Sequence, residues 1–252
     1  MIISMNRILQ NIGLLVILTA TAALASPLNA VGSQGSLSYS ALFENLGGGL
    51  LQITVTNTSV TAPVDESNVI GALFFSLNGD PLLTPISLSL GSGSIVVNGS
   101  GDPSPNWIYA AGVSGPGGAS QVLSAAGYGL VGSRGNFCSG VDCGALLQGI
   151  DWGLVDGGYI AGTGNGSIAG RVMIQETAVF VLSGIPIEFD PSTSIHNVSA
   201  QYSASLDGAN VPDPPGVPEP ASCLLLGGGL ILLGTIKKAR QSKKEIGKTV
   251  SA

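Results

Sequence analysis

Lysine is missing from the stretch between Ser26 and Val217, where Arg134 and Arg171 are the only cations against thirteen carboxylates. A body of that charge repels phosphate backbones, which excludes nucleic acid as a partner. So little Lys and Glu also argues against a helical domain, because these residues normally cover helix surfaces. The chain has one histidine, His196, so any Ser-His-Asp or Cys-His mechanism must pass through it. No Gly-x-Ser-x-Gly elbow occurs, and nucleophilic hydrolysis is poorly supported. With 3 Cys and 1 His, a four-ligand zinc site is not expected. No repeat of fixed period is present, which weighs against a propeller or solenoid. Neither an EF-hand nor a Gly-rich calcium repeat is found, and no metal or cofactor is expected.

What is present is concentrated in three places. The 252-residue chain has a mean hydropathy of +0.45, and its long apolar runs lie at the two ends. Arg7 precedes a mostly apolar segment from Ile8 to Leu24, centred on Leu14-Leu15-Val16-Ile17-Leu18. Ala23-Leu24-Ala25 then offers the two small residues that a signal peptidase reads. Residues 1–25 are therefore read as a secretory signal peptide cleaved after Ala25. Cleavage after Ala30 is the second choice, with Leu28 at the outer recognition position. An uncleaved anchor would instead leave Met1 at the N-terminus.

Residues 26–210 alternate apolar and polar side chains between turn residues, the pattern of β-strands. Strands are predicted over 37–43, 51–57, 69–77, 87–90, 94–98, 107–110, 121–123, 149–154, 171–182 and 197–206. The 171–182 run is long enough for a helix, but its β-branched residues and flanking glycines favour a strand. The 38 glycines suit tight turns and irregular loops. The expectation is an all-β fold, one extracellular antiparallel β-sandwich of the jelly-roll or Ig-like kind.

Within that body, Cys138 and Cys143 enclose Ser139-Gly140-Val141-Asp142. In an oxidising compartment a disulfide closing this loop is expected, adding about 2–3 kcal/mol through the unfolded state. The carboxylate pairs Asp65 with Glu66, Asp151 with Asp156 and Glu188 with Asp190 are the candidates for glycoside hydrolysis or weak Ca²⁺ binding. Most lie beside Gly, Pro or Ser, where Asp serves turns. Trp107, Tyr109, Tyr128, Trp152 and Tyr159 are the candidate stacking faces for a sugar, although aromatics make up only 5% of the chain and core burial is the plainer reading. Gly162-Thr163-Gly164-Asn165-Gly166 lacks the Lys and helix of a nucleotide loop and is read as a turn.

After a Pro-rich linker at 211–217 comes Pro218-Glu219-Pro220. An apolar run from Ala221 to Ile236 follows, about 24 Å long as a helix and slightly short of a bilayer core. Lys237, Lys238, Arg240, Lys243 and Lys244 follow at once and would hold the C-terminus in the cytoplasm. Pro218 and Pro220 favour extended backbone and present Glu219 to a membrane-embedded enzyme.

This triplet, span and basic tail, residues 218–244, resembles the PEP-CTERM sorting signal of Gram-negative bacteria, which an exosortase transpeptidase recognises. Two features depart from that pattern: Cys223 at the start of the span, and a tail extension at 245–252. The body, from Gly-Gly-Leu-Leu-Gln-Ile-Thr-Val-Thr-Asn at 48–57 through Gly149-Ile150-Asp151-Trp152-Gly153-Leu154 to Ile195-His196-Asn197-Val198, is similar to exosortase-dependent surface proteins. The resemblance implies export by way of signal peptidase, an inner-membrane intermediate with one C-terminal transmembrane helix, and processing by an exosortase. The end point would be the cell surface or extracellular matrix, with exopolysaccharide as a partner and no catalytic residues. The competing function classes are a carbohydrate-binding or adhesive module and, ranked last, an extracellular hydrolase.

Overall fold

The computed structural model describes residues 25–60, 63–125, 135–137 and 150–214. The regular structure of the described residues is almost all β. Its strands are β1 (Leu28–Gln34), β2 (Leu37–Gly47), β3 (Leu50–Asn57), β4 (Ile70–Leu77), β5 (Thr84–Leu90), β6 (Ile95–Val97) and β7 (Ile108–Ala111). They continue with β8 (Gln121–Ser124), β9 (Gly135–Asn136), β10 (Leu154–Val155), β11 (Met173–Gln175), β12 (Thr177–Ser183), β13 (Ile195–Tyr202) and β14 (Asn210–Pro212). One helical turn, α1 (Pro191–Ser194), is capped by Asp190. No helix among the described residues is long and apolar enough to cross a membrane. The predicted span at 221–236 lies outside them.

Two sheets form a sandwich-like body. The first has five antiparallel strands in the order β1-β2-β3-β12-β5. Its central strands keep period two, as β3 and β12 show by strict alternation of buried and half-buried residues. Ile53, Val55, Phe180 and Leu182 enter the core, while Gln52, Thr54 and Val181 remain half-buried on the opposite face. The second sheet runs β6-β11-β10-β4-β8-β7-β9, with β13 paired to β4 and β14 paired to β13.

Both sheets feed one core. Phe43 of the first sheet meets Phe75 of the second edge-on, with centroids 5.7 Å apart. Phe180 is flanked edge-on by Trp107 at 4.9 Å and Phe137 at 5.3 Å. Such pairs add about 0.5–1.5 kcal/mol each beyond their buried area. Two tyrosines also bond from sheet to sheet. Tyr39 of β2 donates to the Val198 carbonyl of β13 at 3.3 Å, and Tyr202 of β13 donates to the Ser38 carbonyl of β2 at 2.8 Å. Gly32 makes room for the Tyr39 ring, since a Cβ there would lie 2.5 Å from Cε1.

β4 is buried at every position, so the second sheet is covered on both faces along this strand. Leu73, Phe75 and Leu77 face the main core, whereas Ala72 and Phe74 join Ala110, Ala119 and Val122 in a small outer cluster. A third cluster has a different origin. β10 and β11 pair in parallel, unlike the antiparallel pairs around them. A parallel pair needs a crossover, and residues 156–172 supply it as a loop rather than a helix. The crossover lays Tyr159 and Ile168 on Val69, Val97, Ile150, Val155 and Met173.

Several boundaries differ from the sequence reading. The expected strand at 171–182 is two strands. Glu176, at φ 78°, breaks the run, and the chain passes there from the second sheet into the first. At 149–154 the described part is a turn through Asp151 and Trp152, and only Leu154 and Val155 pair. β1, β9 and β14 were not expected from the pattern.

Candidate functional site

Each sequence-derived site residue has a definite place or lies outside the described residues. Pro218, Glu219, Pro220, Lys237, Lys238, Arg240, Lys243 and Lys244 lie outside them, as do Cys138, Cys143 and Tyr128. His196 is exposed and sits within β13, opposite Ser76 of β4, rather than in a loop before the strand. Asp65 caps a short 3₁₀ turn by accepting from Ser67 N at 2.8 Å, and Asp190 accepts from Ser192 N at 3.0 Å. Both carboxylates are held by their own turns.

The aromatic candidates divide sharply. Trp107, Tyr109 and Tyr159 are buried at 0%, 4% and 4% exposure, so their faces are core surface. Trp152 is half-buried. It stands at φ 65°, and its Cη2 edge lies beside Gly101, where a Cβ would be 3.8 Å away. The strained backbone is fixed on both sides: Trp152 N donates to the Val172 carbonyl at 2.5 Å, and its own carbonyl accepts from Trp107 Nε1 at 2.9 Å. Next to it Arg171 Nη1 meets Asp151 Oδ2 at 3.0 Å, both side chains being about 40% exposed (41% and 38%). Arg171 is the only lysine or arginine among the described residues.

Asn98 ties this corner together. At φ 57° it donates to the Arg171 carbonyl at 2.9 Å and to Tyr159 Oη at 3.0 Å, and it accepts from Gly162 N at 2.7 Å. The result is a hydrogen-bonded loop corner carrying one half-buried indole, packed in part against the main core, and one ion pair. Chemically, such a corner can stack on a flat or sugar-like face and hydrogen-bond at its rim. The alternation of residues in the sequence could not reveal it, because 98–102, 150–153 and 156–172 are brought together only by β6, β10 and β11.

A concavity of about 330 Å³ lies between the start of β5 and β7. Leu82, Leu83, Thr84, Pro85, Tyr109 and Ala111 line it. Tyr109 Oη is spent on structure, donating to Gln121 Oε1 at 3.0 Å and accepting from Leu83 N at 3.1 Å. Burial raises its phenol above the usual range, with the Asp80 charge adding to the effect. The groove thus offers an apolar wall without a free polar anchor on Tyr109.

No family model matches the chain, and neither a curated protein nor a solved structure shows significant similarity to it.

Proposed function

We propose that this is an exported bacterial surface or matrix protein, sorted by an exosortase through Pro218-Glu219-Pro220, with a non-catalytic structural role alongside exopolysaccharide. On this reading residues 1–25 are the signal peptide, 221–236 cross the inner membrane before processing, and the β body faces outward. The observation that carries it is the fit between the folded body and its two addresses. β1 begins at Leu28, three residues past the predicted cleavage after Ala25, and β14 ends at Pro212, just ahead of the sorting triplet. The two terminal strands also lie together, since a Cβ on Gly32 of β1 would come 2.6 Å from the Pro212 carbonyl. Removal of either address would therefore leave every described strand intact. The lysine-free, acidic, Gly-rich body suits a soluble module outside the cell. The test is to replace Glu219 with Ala in a producing bacterium and fractionate the cells. The variant should stay in the inner membrane at full C-terminal length, and release indistinguishable from wild type would refute the proposal.

The loop corner at Trp152 favours a second reading, a carbohydrate-binding or adhesive module. There a glycan would stack on the indole beside Asp151 and Arg171. Retention on an exopolysaccharide matrix that Trp152→Ala abolishes would select this reading over a purely structural one.

A further inference from the structure

Asp156 opens the crossover between β10 and β11 and is 5% exposed. Its Oδ1 accepts from Gly158 N at 2.6 Å. Its Oδ2 is buried without a hydrogen-bond partner, alone in this among the side-chain polar atoms of the described residues. A buried carboxylate oxygen is costly unless donors or a cation hold it. No such cation comes from the described side chains, because Arg171 is engaged by Asp151.

A second carboxylate stands beside it. β10 and β11 pair in parallel with Val155 next to Gln175, so the residues that follow, Asp156 and Glu176, leave the sheet side by side. Glu176 N donates to the Val155 carbonyl at 2.8 Å and fixes that placement. Exposed Glu176 lays its carboxylate against Gly157, with Oε2 3.6 Å from where a Cβ on Gly157 would be. On Gly158 a Cβ would come 2.9 Å from Asp156 Oδ1. Both carboxylates therefore front the same side-chain-free dipeptide. The turn is also held by Gln175, whose Nε2 donates to the carbonyls of Gly157 and Tyr159, each at 2.9 Å.

We infer that the 156–159 turn and Glu176 form a binding site for a hard divalent cation of the calcium type, with Asp156 Oδ2 as the buried anionic ligand and Glu176 as the outer one. Hard cations of this class take carboxylate oxygens together with backbone carbonyls and water. The described residues bring no three His, Cys, Asp or Glu side chains together, so the remaining ligands are carbonyls of the turn and water. Two carboxylates place the affinity among extracellular modules, with Kd of about 0.1–1 mM. A cation there would pin the crossover that carries Tyr159 and Ile168 over the second sheet.

The experiment uses the full chain in detergent, stripped with EDTA and titrated with CaCl₂. Wild type should gain about 3–10 °C in Tm at about 10 mM Ca²⁺. Calorimetry should count one site. Asp156→Asn should abolish the shift, Glu176→Gln should weaken binding at least tenfold, and Glu188→Gln should bind as wild type does. Glu176 is exposed, so its variant decides the matter even where Asp156→Asn fails to fold. A wild-type Tm unmoved by Ca²⁺, or a shift equal in all three variants, overturns the inference.

Discussion

Tyr202 gives the sharpest test of how the two sheets are held. Its ring is fully buried in the core, and its hydroxyl donates to the Ser38 carbonyl at 2.8 Å and meets Ser59 Oγ at 3.3 Å. Burial pushes the phenol up to about 12 from the ordinary 10.0. A raised folded-state pKa means that the native state keeps its proton after the unfolded chain has lost it. The stabilisation from neutral Tyr202 is therefore complete below pH 10 and is lost as pH rises toward 12. The full loss is about 2.7 kcal/mol, and about half of it is gone at pH 11. Tyr202→Phe removes the ionisation together with the hydrogen bond, at a cost of about 1 kcal/mol near neutrality. The Ser38 carbonyl keeps its bond from Thr58 N at 2.9 Å, so the variant leaves no orphaned acceptor. Urea denaturation of both proteins should find wild type more stable by about 1 kcal/mol at pH 8, equal to the variant near pH 11, and less stable above it. All other titrating groups cancel in the difference. A stability difference that stays constant from pH 8 to pH 12 would refute the burial argument.

Other perturbations have different mechanisms. Gly71→Ala should cost at least about 2 kcal/mol by chemical denaturation, because the new Cβ would lie 2.4 Å from the Ser203 carbonyl on a neighbouring backbone. Phe180→Ala, which empties the site between Trp107 and Phe137, should cost about 3–5 kcal/mol and lower Tm accordingly. Asp151→Asn should move stability by no more than about 0.5 kcal/mol, and added salt should shrink even that, since the pair with Arg171 is half in water. Glu176→Gly, at φ 78°, should stabilise the cation-free protein by about 1 kcal/mol in the same assay.

The sequence was most legible where one face of a strand is buried and the other is not. β2, β3 and β12 alternate cleanly, and Leu51-Gln52-Ile53-Thr54-Val55-Thr56-Asn57 carries its own sheet assignment. β4 read as a strand too, through its β-rich apolar run, although nothing in that run says that both faces are covered. β1 and β14 escaped because each carries few large apolar residues and owes its pairing to β2 and β13. The break at Glu176 escaped because Met173–Ser183 is locally a good strand, and only the second sheet requires the chain to leave it. The candidate site was less legible. Trp107 and Trp152 look alike in sequence, yet one is fully enclosed in the core and the other is only half-buried at its edge. Asp156 looked like a turn former, which it is through Oδ1. Its burial comes from the parallel crossover, which no local pattern announces.

We propose that this β body is carried to the cell surface between two removable addresses. The most direct test is the intact mass of the native protein, isolated from the envelope and extracellular fractions of the producing bacterium. The expected chain begins at Ser26 and ends near Pro220, with or without added mass at the C-terminus. A native chain that starts at Met1, or that still carries Lys237 through Ala252, would contradict it.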